Sequence, residues 1–494
     1  LLFVCYGSVL FSAPFYIDEE YFVNRPGFMY FFLEDGRFSM ALTRWGLGFS
    51  VYEPYFEGLI FLALAFFVCR GFVYLFKQVD EKIPEGILTI ASCLMMCSLI
   101  FAEQFQFQFQ AVALMLAFLA EIAANLLLIR GLREGVWKYV MAGIPLLIFA
   151  FGTYQVMVNI QLALYFAVFM LMEYRKEENT LRRTYMITAQ FFAAFVIYEV
   201  LVKLFFSGSM EYLSDQIMWG QQPILDTFRT IRLYMKVILL HVDFFTTWAY
   251  PTGLIVFAAG VIAALIRKKI SVLGVIAAFA LAISPFFLLF LMGTPPTYRG
   301  QLTLPAVCAL MWSVGVFLFV EETLGEKTRK KKRPVYIALL VIASCLLYLQ
   351  TAEILRLHYT RDVVREADRM EAVKLTQRID GFDVNKPVVF VGCLNAKRNP
   401  SCYTFEETGS YMTLSVYELR GKLGEASDFH NTRTILGYLE SLGYPYVEPT
   451  AQTAADAVLK AADMPEWPAE GSVREEEDCI IVRLQGNADT DFGK

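Results

Sequence analysis

The chain has 494 residues, of which 57% are hydrophobic and 18% are charged, and its mean hydropathy is +0.48. Soluble globular proteins carry about 25% charged residues, so this composition excludes that class and predicts a polytopic membrane protein. The formal net charge is −5, and no basic block has the character of a nucleic-acid-binding surface. The chain starts at Leu1 without an initiator Met, so we expect it to begin inside its first membrane span.

Apolar runs long enough to cross a hydrocarbon core of about 30 Å recur along most of the chain. They predict about eleven transmembrane helices, an estimate that rests on run length alone. The runs cover residues 1–13, 55–76, 86–102, 106–129, 139–152, 155–173, 185–206, 250–266, 271–292, 302–320 and 335–357.

The loops between these runs alternate between basic and poorly basic. The basic ones carry Lys77 and Lys82; Arg130, Arg133 and Lys138; Arg175, Lys176, Arg182 and Arg183; Arg267, Lys268 and Lys269; and the run 327–333. The positive-inside rule places basic loops in the cytoplasm. We therefore expect loops 14–54, 103–105, 207–249 and 293–301, and everything after residue 357, on the outer face.

Three adjacent carboxylates, Asp18, Glu19 and Glu20, follow the first apolar run. Mutual repulsion and poor solvation beside the membrane are expected to raise the pKa of at least one of these carboxyl groups. Such a group suits a general base, or a metal ligand, beside a lipid-borne substrate. The alternative is a solvated loop end or a helix N-cap.

Arg37 follows Glu34-Asp35-Gly36 in the same outer loop. A guanidinium group beside a flexible glycine can bind a phosphate with two parallel hydrogen bonds. The alternative is an arginine that extends from the membrane interface into water.

Polar amides alternate with phenylalanines around residue 105, in the run Gln104-Phe105-Gln106-Phe107-Gln108. Lipid-exposed strands do not occur within a bilayer, so this segment must line a cavity or start a helix. Amides beside aromatic rings suit a sugar, and Tyr154-Gln155 repeats this combination. An interfacial aromatic belt with polar filler explains the pattern equally well.

Two further arginine positions suit a lipid phosphate. Arg229 and Arg232, with Lys236, share one face of a predicted interfacial helix, which would otherwise simply sit among lipid headgroups. Arg299 lies in a loop stiffened by Pro295 and Pro296, which favours a positioning role.

Residues 358–494 have the composition of a small α/β domain. Strands are predicted at 386–392 and 479–484, and a helix at 432–442 that ends before Gly443. The stretch has no Gly-rich phosphate loop and no metal-ligand spacing, so we expect it to have a supporting or recognition role and no catalytic role. The predicted domains are 1–357 in the membrane and 358–494 outside it.

Several short motifs together resemble the glucosyltransferase II family of O-antigen and cell-wall modifying enzymes of bacteria. They are Asp18-Glu19-Glu20, Glu34-Asp35-Gly36-Arg37-Phe38, the run 101–108, Gly152-Thr153-Tyr154-Gln155 and Tyr298-Arg299-Gly300-Gln301-Leu302. The resemblance implies an architecture similar to C-type glycosyltransferases, with the active site at the outer face. It also implies a polyprenyl-phosphate sugar as donor and a surface glycan as acceptor. By position, Asp18 with Glu19 or Glu20 matches the acidic pair of the family, and Arg37 matches its Gly-Arg.

The sequence thus predicts a multi-pass glycosyltransferase of the cell membrane that transfers a hexose, with glucose favoured, to a cell-surface glycan. Asp18 is the preferred base, and Arg37 and Arg299 would stabilise the departing phosphate. A divalent metal held by Asp18 and Glu19 is compatible with this chemistry but not required by it. The alternatives are a flippase for a lipid-linked saccharide and a glycan polymerase.

Overall fold

The computed structural model describes residues 1–12, 19, 23–25, 29–49, 51–177, 180–206, 217–324, 329–418 and 428–486. Among these described residues the fold is mostly helical, with 71% helix. In chain order the helices are α1 (Leu2–Tyr6), α2 (Met29–Glu34), α3 (Phe38–Leu47), α4 (Pro54–Val79), α5 (Glu85–Met96), α6 (Leu99–Phe105), α7 (Gln108–Glu134), α8 (Trp137–Phe151), α9 (Val156–Tyr174), α10 (Thr180–Phe205), α11 (Ile224–Leu240), α12 (Ala249–Ile266), α13 (Val272–Ile283), α14 (Phe287–Met292), α15 (Thr303–Leu324), α16 (Arg329–Ile379), α17 (Phe405–Thr408), α18 (Asp428–Ser441) and α19 (Ala451–Ala461).

Among the described residues, eight helical stretches are long and apolar enough to cross a membrane, as expected of a multi-pass membrane protein. They are α4, α7, α9, α10, α12, the stretch α13–α14, α15 and α16. The pair α5–α6 is bent by 54° at its break and would make a ninth span.

Two predicted spans are shorter than expected. The run 139–152 forms α8, whose 15 residues rise about 22 Å, less than the hydrocarbon core. In the run 1–13, residues 1–12 are described, and they contain α1 and a single 3₁₀ turn, Gly7–Leu10. The run 86–102 is divided between α5 and α6, and the run 271–292 between α13 and α14. The other predicted spans coincide with helices to within a few residues, apart from α16, which continues to Ile379.

The chain divides into two compact units, one formed by residues 1–12 and 29–354 and the other by 13–28 and 355–494. In the first unit, the helical bundle, α15 is buried on nearly all sides and packs against α12. A Cβ atom on Gly260 would lie 2.7 Å from the carbonyl oxygen of Gly315, and one on Gly315 would lie 2.6 Å from Phe257 Cα. Glycines on both helices therefore allow the backbones to approach closely, as is common between membrane helices.

The second unit, the C-terminal unit, contains a three-stranded sheet in the order β1-β3-β2, formed by β1 (Val388–Val391), β2 (Val473–Glu475) and β3 (Ile480–Arg483). β1 and β3 are parallel, and β2 is antiparallel to β3. All four side chains of β1 are buried, and α18 packs against this strand. The predicted strands at 386–392 and 479–484 and the helix at 432–442 are confirmed.

Candidate functional site

Arg37 is held by the way in which α2 ends. Gly36 adopts a left-handed conformation, with φ of +70°, which a residue with a side chain rarely adopts. The backbone amides of Gly36 and Arg37 donate to the carbonyl oxygens of Leu33 and Phe32, at 3.0 and 2.8 Å. These two bonds form a Schellman motif, so the Gly-Arg of the sequence fixes the direction in which the chain leaves α2.

The Arg37 side chain is largely buried and lies over an aromatic ring. Its Cζ is 5.0 Å from the centroid of the Tyr154 ring, within range of a cation–π interaction. Its Nη2 lies 3.4 Å from Asp35 Oδ2, a long ion pair. Its Nε has no hydrogen-bond partner among the described residues. The guanidinium group therefore keeps hydrogen-bonding capacity for an anion.

The segment 152–155 is joined to the start of α3 by hydrogen bonds and close packing. The Ser39 amide donates to the Gly152 carbonyl oxygen at 2.9 Å, and Gln155 Nε2 donates to the Asp35 carbonyl oxygen at 2.8 Å. A Cβ atom on Gly152 would lie 2.4 Å from the Phe38 ring, so only glycine fits there without a shift of the ring. Tyr154 is thus fixed beside Arg37.

Arg299 lies in the 3₁₀ turn Tyr298–Gly300, opposite the start of α7. Its Cζ is 4.7 Å from the centroid of the Phe107 ring. The Tyr298 ring stacks on Phe245 with centroids 4.1 Å apart, and the Tyr298 hydroxyl donates to Asp243 Oδ2. These two contacts join the turn to the loop that precedes α12.

Tyr154 links the two arginine segments. A Cβ atom on Gly300 would lie 4.0 Å from the Tyr154 hydroxyl, so the tyrosine reaches from Arg37 toward the Tyr298–Gly300 turn. The structure therefore brings together three motifs that are far apart in sequence: Asp35-Gly36-Arg37, Tyr154-Gln155 and Tyr298-Arg299-Gly300. We refer to these eight residues as the arginine site.

The alternating Gln-Phe run forms the junction between α6 and α7 and is not an extended strand. Gln104 Nε2 donates to Gln110 Oε1 across the junction at 3.0 Å. Gln106 Nε2 donates to the Ala102 carbonyl oxygen at 3.3 Å, and Gln108 Oε1 accepts from the Tyr52 hydroxyl at 3.3 Å. The three predicted sugar-binding amides of this run, Gln104, Gln106 and Gln108, are buried. Of the two alternatives, a cavity lining or the start of a helix, the structure shows a helix that starts at Gln108.

Of the acidic triplet, Asp18 and Glu20 lie outside the described residues. Glu19 is fully buried, and its carbonyl oxygen accepts from the Val23 amide at 2.9 Å. Nearby, Asn24 Nδ2 donates to the Gly437 carbonyl oxygen at 2.9 Å, and Arg25 forms an ion pair with Glu448. Glu19 therefore belongs to the C-terminal unit, although only a few residues separate this loop from the bundle in sequence.

Arg229 and Arg232 are exposed on α11, as is Lys236. Thr227, Ile231 and Ile238 form the buried side of the helix. Large apolar side chains are exposed beside the arginines, Leu225 at 81% and Phe228 at 55%. Exposed basic and apolar residues on one helix are typical of the membrane interface.

Asp35 and Asp243 are contacts of the site that the sequence reasoning did not select. Burial raises the pKa of the Asp35 carboxyl group and Glu34 adds to this, while Arg37 opposes it. Asp35 was visible in sequence as the acidic neighbour of the Gly-Arg pair. Asp243, by contrast, lies in a loop without a motif, and only the fold places it against Tyr298.

No metal site is evident in the described part of the chain, since it contains no group of three or more His, Cys, Asp or Glu side chains placed to hold an ion. Asp18, one of the two carboxylates considered for a metal, is outside that part.

Comparison with known proteins gives one family. A family model described as glucosyl transferase GtrII matches residues 7–319, which include the arginine site. Neither the curated proteins nor the solved structures compared with the chain gave a match.

Proposed function

Because the chain belongs to the GtrII family of glucosyl transferases, we propose that it transfers a hexosyl group, with glucose favoured, from a polyprenyl-phosphate donor to a cell-surface glycan. In this reaction an acceptor hydroxyl oxygen attacks C1 of the donor sugar. The bond from C1 to the phosphate oxygen breaks, polyprenyl phosphate leaves, and a base takes the hydroxyl proton.

The arginine site is the observation that carries this proposal. Negative charge grows on the departing phosphate, and Arg37 and Arg299 on either side of Tyr154 are suited to stabilise it. Guanidinium groups held in place before the reaction stabilise such charge without the cost of reorganising solvent. The buried Arg37 Nε without a partner among the described residues supplies a donor for a phosphate oxygen.

The lipid part of the donor requires a route from the bilayer. Helix α11 supports such a route because Arg229 and Arg232 are exposed beside Leu225 and Phe228. In this proposal they attract the phosphate headgroup before it reaches the arginine site, and the polyprenyl chain stays among the apolar side chains.

Asp18 is the proposed base, with Glu19 or Glu20 as its acidic partner, a role that rests on the family resemblance of the first loop. The amides of Gln104, Gln106, Gln108 and Gln155 and the Tyr154 ring are the proposed contacts of the sugar. Polar hydrogen-bonding groups beside an aromatic face suit the hydroxyl and C–H surfaces of a hexose.

We place the reaction on the outer face of the cell membrane, with the C-terminal unit outside. The support is the charge pattern of the sequence, because the loops rich in Lys and Arg alternate with the loops that carry Arg37 and Arg299.

The experiment is a transfer assay with purified full-length protein and radiolabelled polyprenyl-phosphate glucose, offered membrane-anchored and secreted glycans. Label is expected to appear in glycan with the wild type and to be lost with Asp18→Asn, which changes little but the charge. Retained transfer in Asp18→Asn would remove this residue from the mechanism. Donor that crosses a vesicle membrane without forming a glycosidic bond would instead indicate a flippase, and transfer of whole repeat units would indicate a polymerase.

A further inference from the structure

Helix α7 carries a carboxylate halfway along its length. Glu121 lies thirteen residues from either end of the helix Gln108–Glu134, or about 20 Å along the axis. The side chain is fully buried, and neither carboxyl oxygen has a hydrogen-bond partner among the described residues. Ionisable residues in the middle of membrane helices are energetically expensive and usually have a function.

The surroundings of Glu121 do not suit a negative charge. Two other buried carboxylates of the bundle lie against arginines: Glu57 is 2.8 Å from Arg44, and Glu173 is 2.6 Å from Arg183. Within the described residues, Glu121 forms no ion pair with a basic side chain. An isolated charge at such a position costs several kcal/mol, which a neutral carboxylic acid avoids.

The neighbours of Glu121 are complementary to a carboxylic acid. Asn125, one turn further along α7, donates from Nδ2 to the Glu121 carbonyl oxygen at 2.8 Å and to Gln161 Oε1 at 3.0 Å. Both bonds require that Nδ2 be the donor, so the orientation of the Asn125 amide is fixed. Its Oδ1 is then a buried acceptor without a donor among the described residues.

In the cluster of Glu121, Asn125 and Gln161, a protonated Glu121 can supply that missing donor, and Gln161 Nε2 is the other buried donor without a partner among the described residues. An ionised carboxylate is an acceptor only and cannot donate to Asn125 Oδ1. The Tyr165 hydroxyl also faces this cluster, but it donates to Gln190 Oε1 at 2.7 Å. Gln161 Nε2 has no acceptor among the described residues and can donate to the carbonyl oxygen of the acid.

We propose that Glu121 is a proton-binding site inside the helical bundle. Its carboxyl group holds a proton at neutral pH and, after a rotation of the side chain, donates a hydrogen bond to Asn125 Oδ1. The acid, Asn125 and Gln161 then form a neutral polar bridge between α7 and α9. Gln155, which contacts Asp35, lies six residues before Gln161, about 9 Å along the chain direction of α9.

Infrared difference spectroscopy of the full-length protein in lipid nanodiscs tests the site. The spectrum of the wild type minus that of Glu121→Gln is expected to contain the carbonyl stretch of a protonated carboxylic acid, shifted in D₂O. Glu57→Gln is the matched control, because Glu57 is paired with Arg44 and its loss should remove carboxylate bands only.

Carboxylate bands in the spectrum of the wild type minus that of Glu121→Gln would overturn the proposal. An acid band that disappears as Na⁺ is added would also overturn it, because it would indicate a cation site. The melting temperature gives a second readout. Glu121→Gln changes neither charge nor volume if the acid is neutral, so the variant should unfold within a few degrees of the wild type in Na⁺ and in Na⁺-free buffer alike. Stabilisation by Na⁺ that is lost in Glu121→Gln would contradict a proton site.

Discussion

Arg37 gives the most direct test of the arginine site. Replacing Arg37 by alanine removes a buried guanidinium group whose contacts in the described structure are the Tyr154 ring at 5.0 Å and the long ion pair with Asp35 at 3.4 Å. If the group binds the donor phosphate, its loss removes charge-assisted hydrogen bonds worth about 1.5–3 kcal/mol. Since 1.4 kcal/mol corresponds to a factor of ten, kcat/KM should fall by roughly 10- to 150-fold.

The assay is the initial rate of glucose transfer as a function of donor concentration. Arg37→Lys keeps the charge but not the planar pair of donors, so it should recover only part of the loss. Arg130→Ala is the matched control, because Arg130 is an exposed arginine paired with Glu134 one turn away. It should leave transfer unchanged and cost little stability, because exposed ion pairs contribute little. Wild-type kcat/KM in a folded Arg37→Ala variant would refute the phosphate-binding role.

Three further predictions concern the surroundings of Arg37 and Arg299. Burial raises the pKa of Asp35, so this carboxyl group takes up its proton at a higher pH than usual and then releases Arg37. Donor affinity should therefore rise as pH falls, and Asp35→Asn should flatten the dependence of donor affinity on pH. An unchanged pH dependence in this variant would exclude Asp35 as its source. Tyr298→Phe removes the donor and Asp243→Asn the charged acceptor of one hydrogen bond. Their effects on kcat/KM should therefore not add, with a coupling free energy of about 0.5–3 kcal/mol. Additive effects would mean that Asp243 does not act through Tyr298. Gly152→Ala places a Cβ atom 2.4 Å from the Phe38 ring. Thermal unfolding should show a loss of stability of about 1–3 kcal/mol. If adding Phe38→Ala does not relieve this loss, the clash with the ring is not its cause.

The helices and the family were predictable from sequence because their signals are local or cumulative. Apolar run length located most of the long helices, and the match over residues 7–319 confirms the glucosyltransferase II family that the short motifs indicated. The run 386–392 has the β-branched composition of a buried strand and contains β1. By contrast, β2 has only three residues, Val-Arg-Glu, and no periodicity that could have identified it.

The break between α5 and α6 was not predicted, although its cause is visible in sequence. The Ser98 side chain accepts from the Phe101 amide at 3.2 Å and so caps α6. Serine favours such a cap over a helix interior because its hydroxyl competes for backbone groups. A long apolar run conceals this preference, since its hydropathy is the same with or without the break.

The sequence alone could not predict that these segments come together as the arginine site. Arg37, Tyr154 and Arg299 were each selected for their chemistry, but their proximity depends on which helices are neighbours. Asp243 shows the limit most clearly, because neither its spacing nor its neighbours in sequence distinguish it from a solvated aspartate. Glu19 shows the same limit in another way, because the fold includes it in the C-terminal unit and not in the bundle.

The hydrogen bond from Asn24 to Gly437 joins residues 413 positions apart in the chain. At a synthesis rate of 5–20 residues per second, roughly 20–80 s pass between the appearance of these two residues. The bundle helices can pack during that interval, but the contacts of the acidic loop within the C-terminal unit cannot form. Any chemistry that depends on that loop being held in place must therefore wait until translation has passed Gly437. If Asp18 is the base, as proposed, a nascent or C-terminally truncated chain would be inserted in the membrane before it could catalyse transfer.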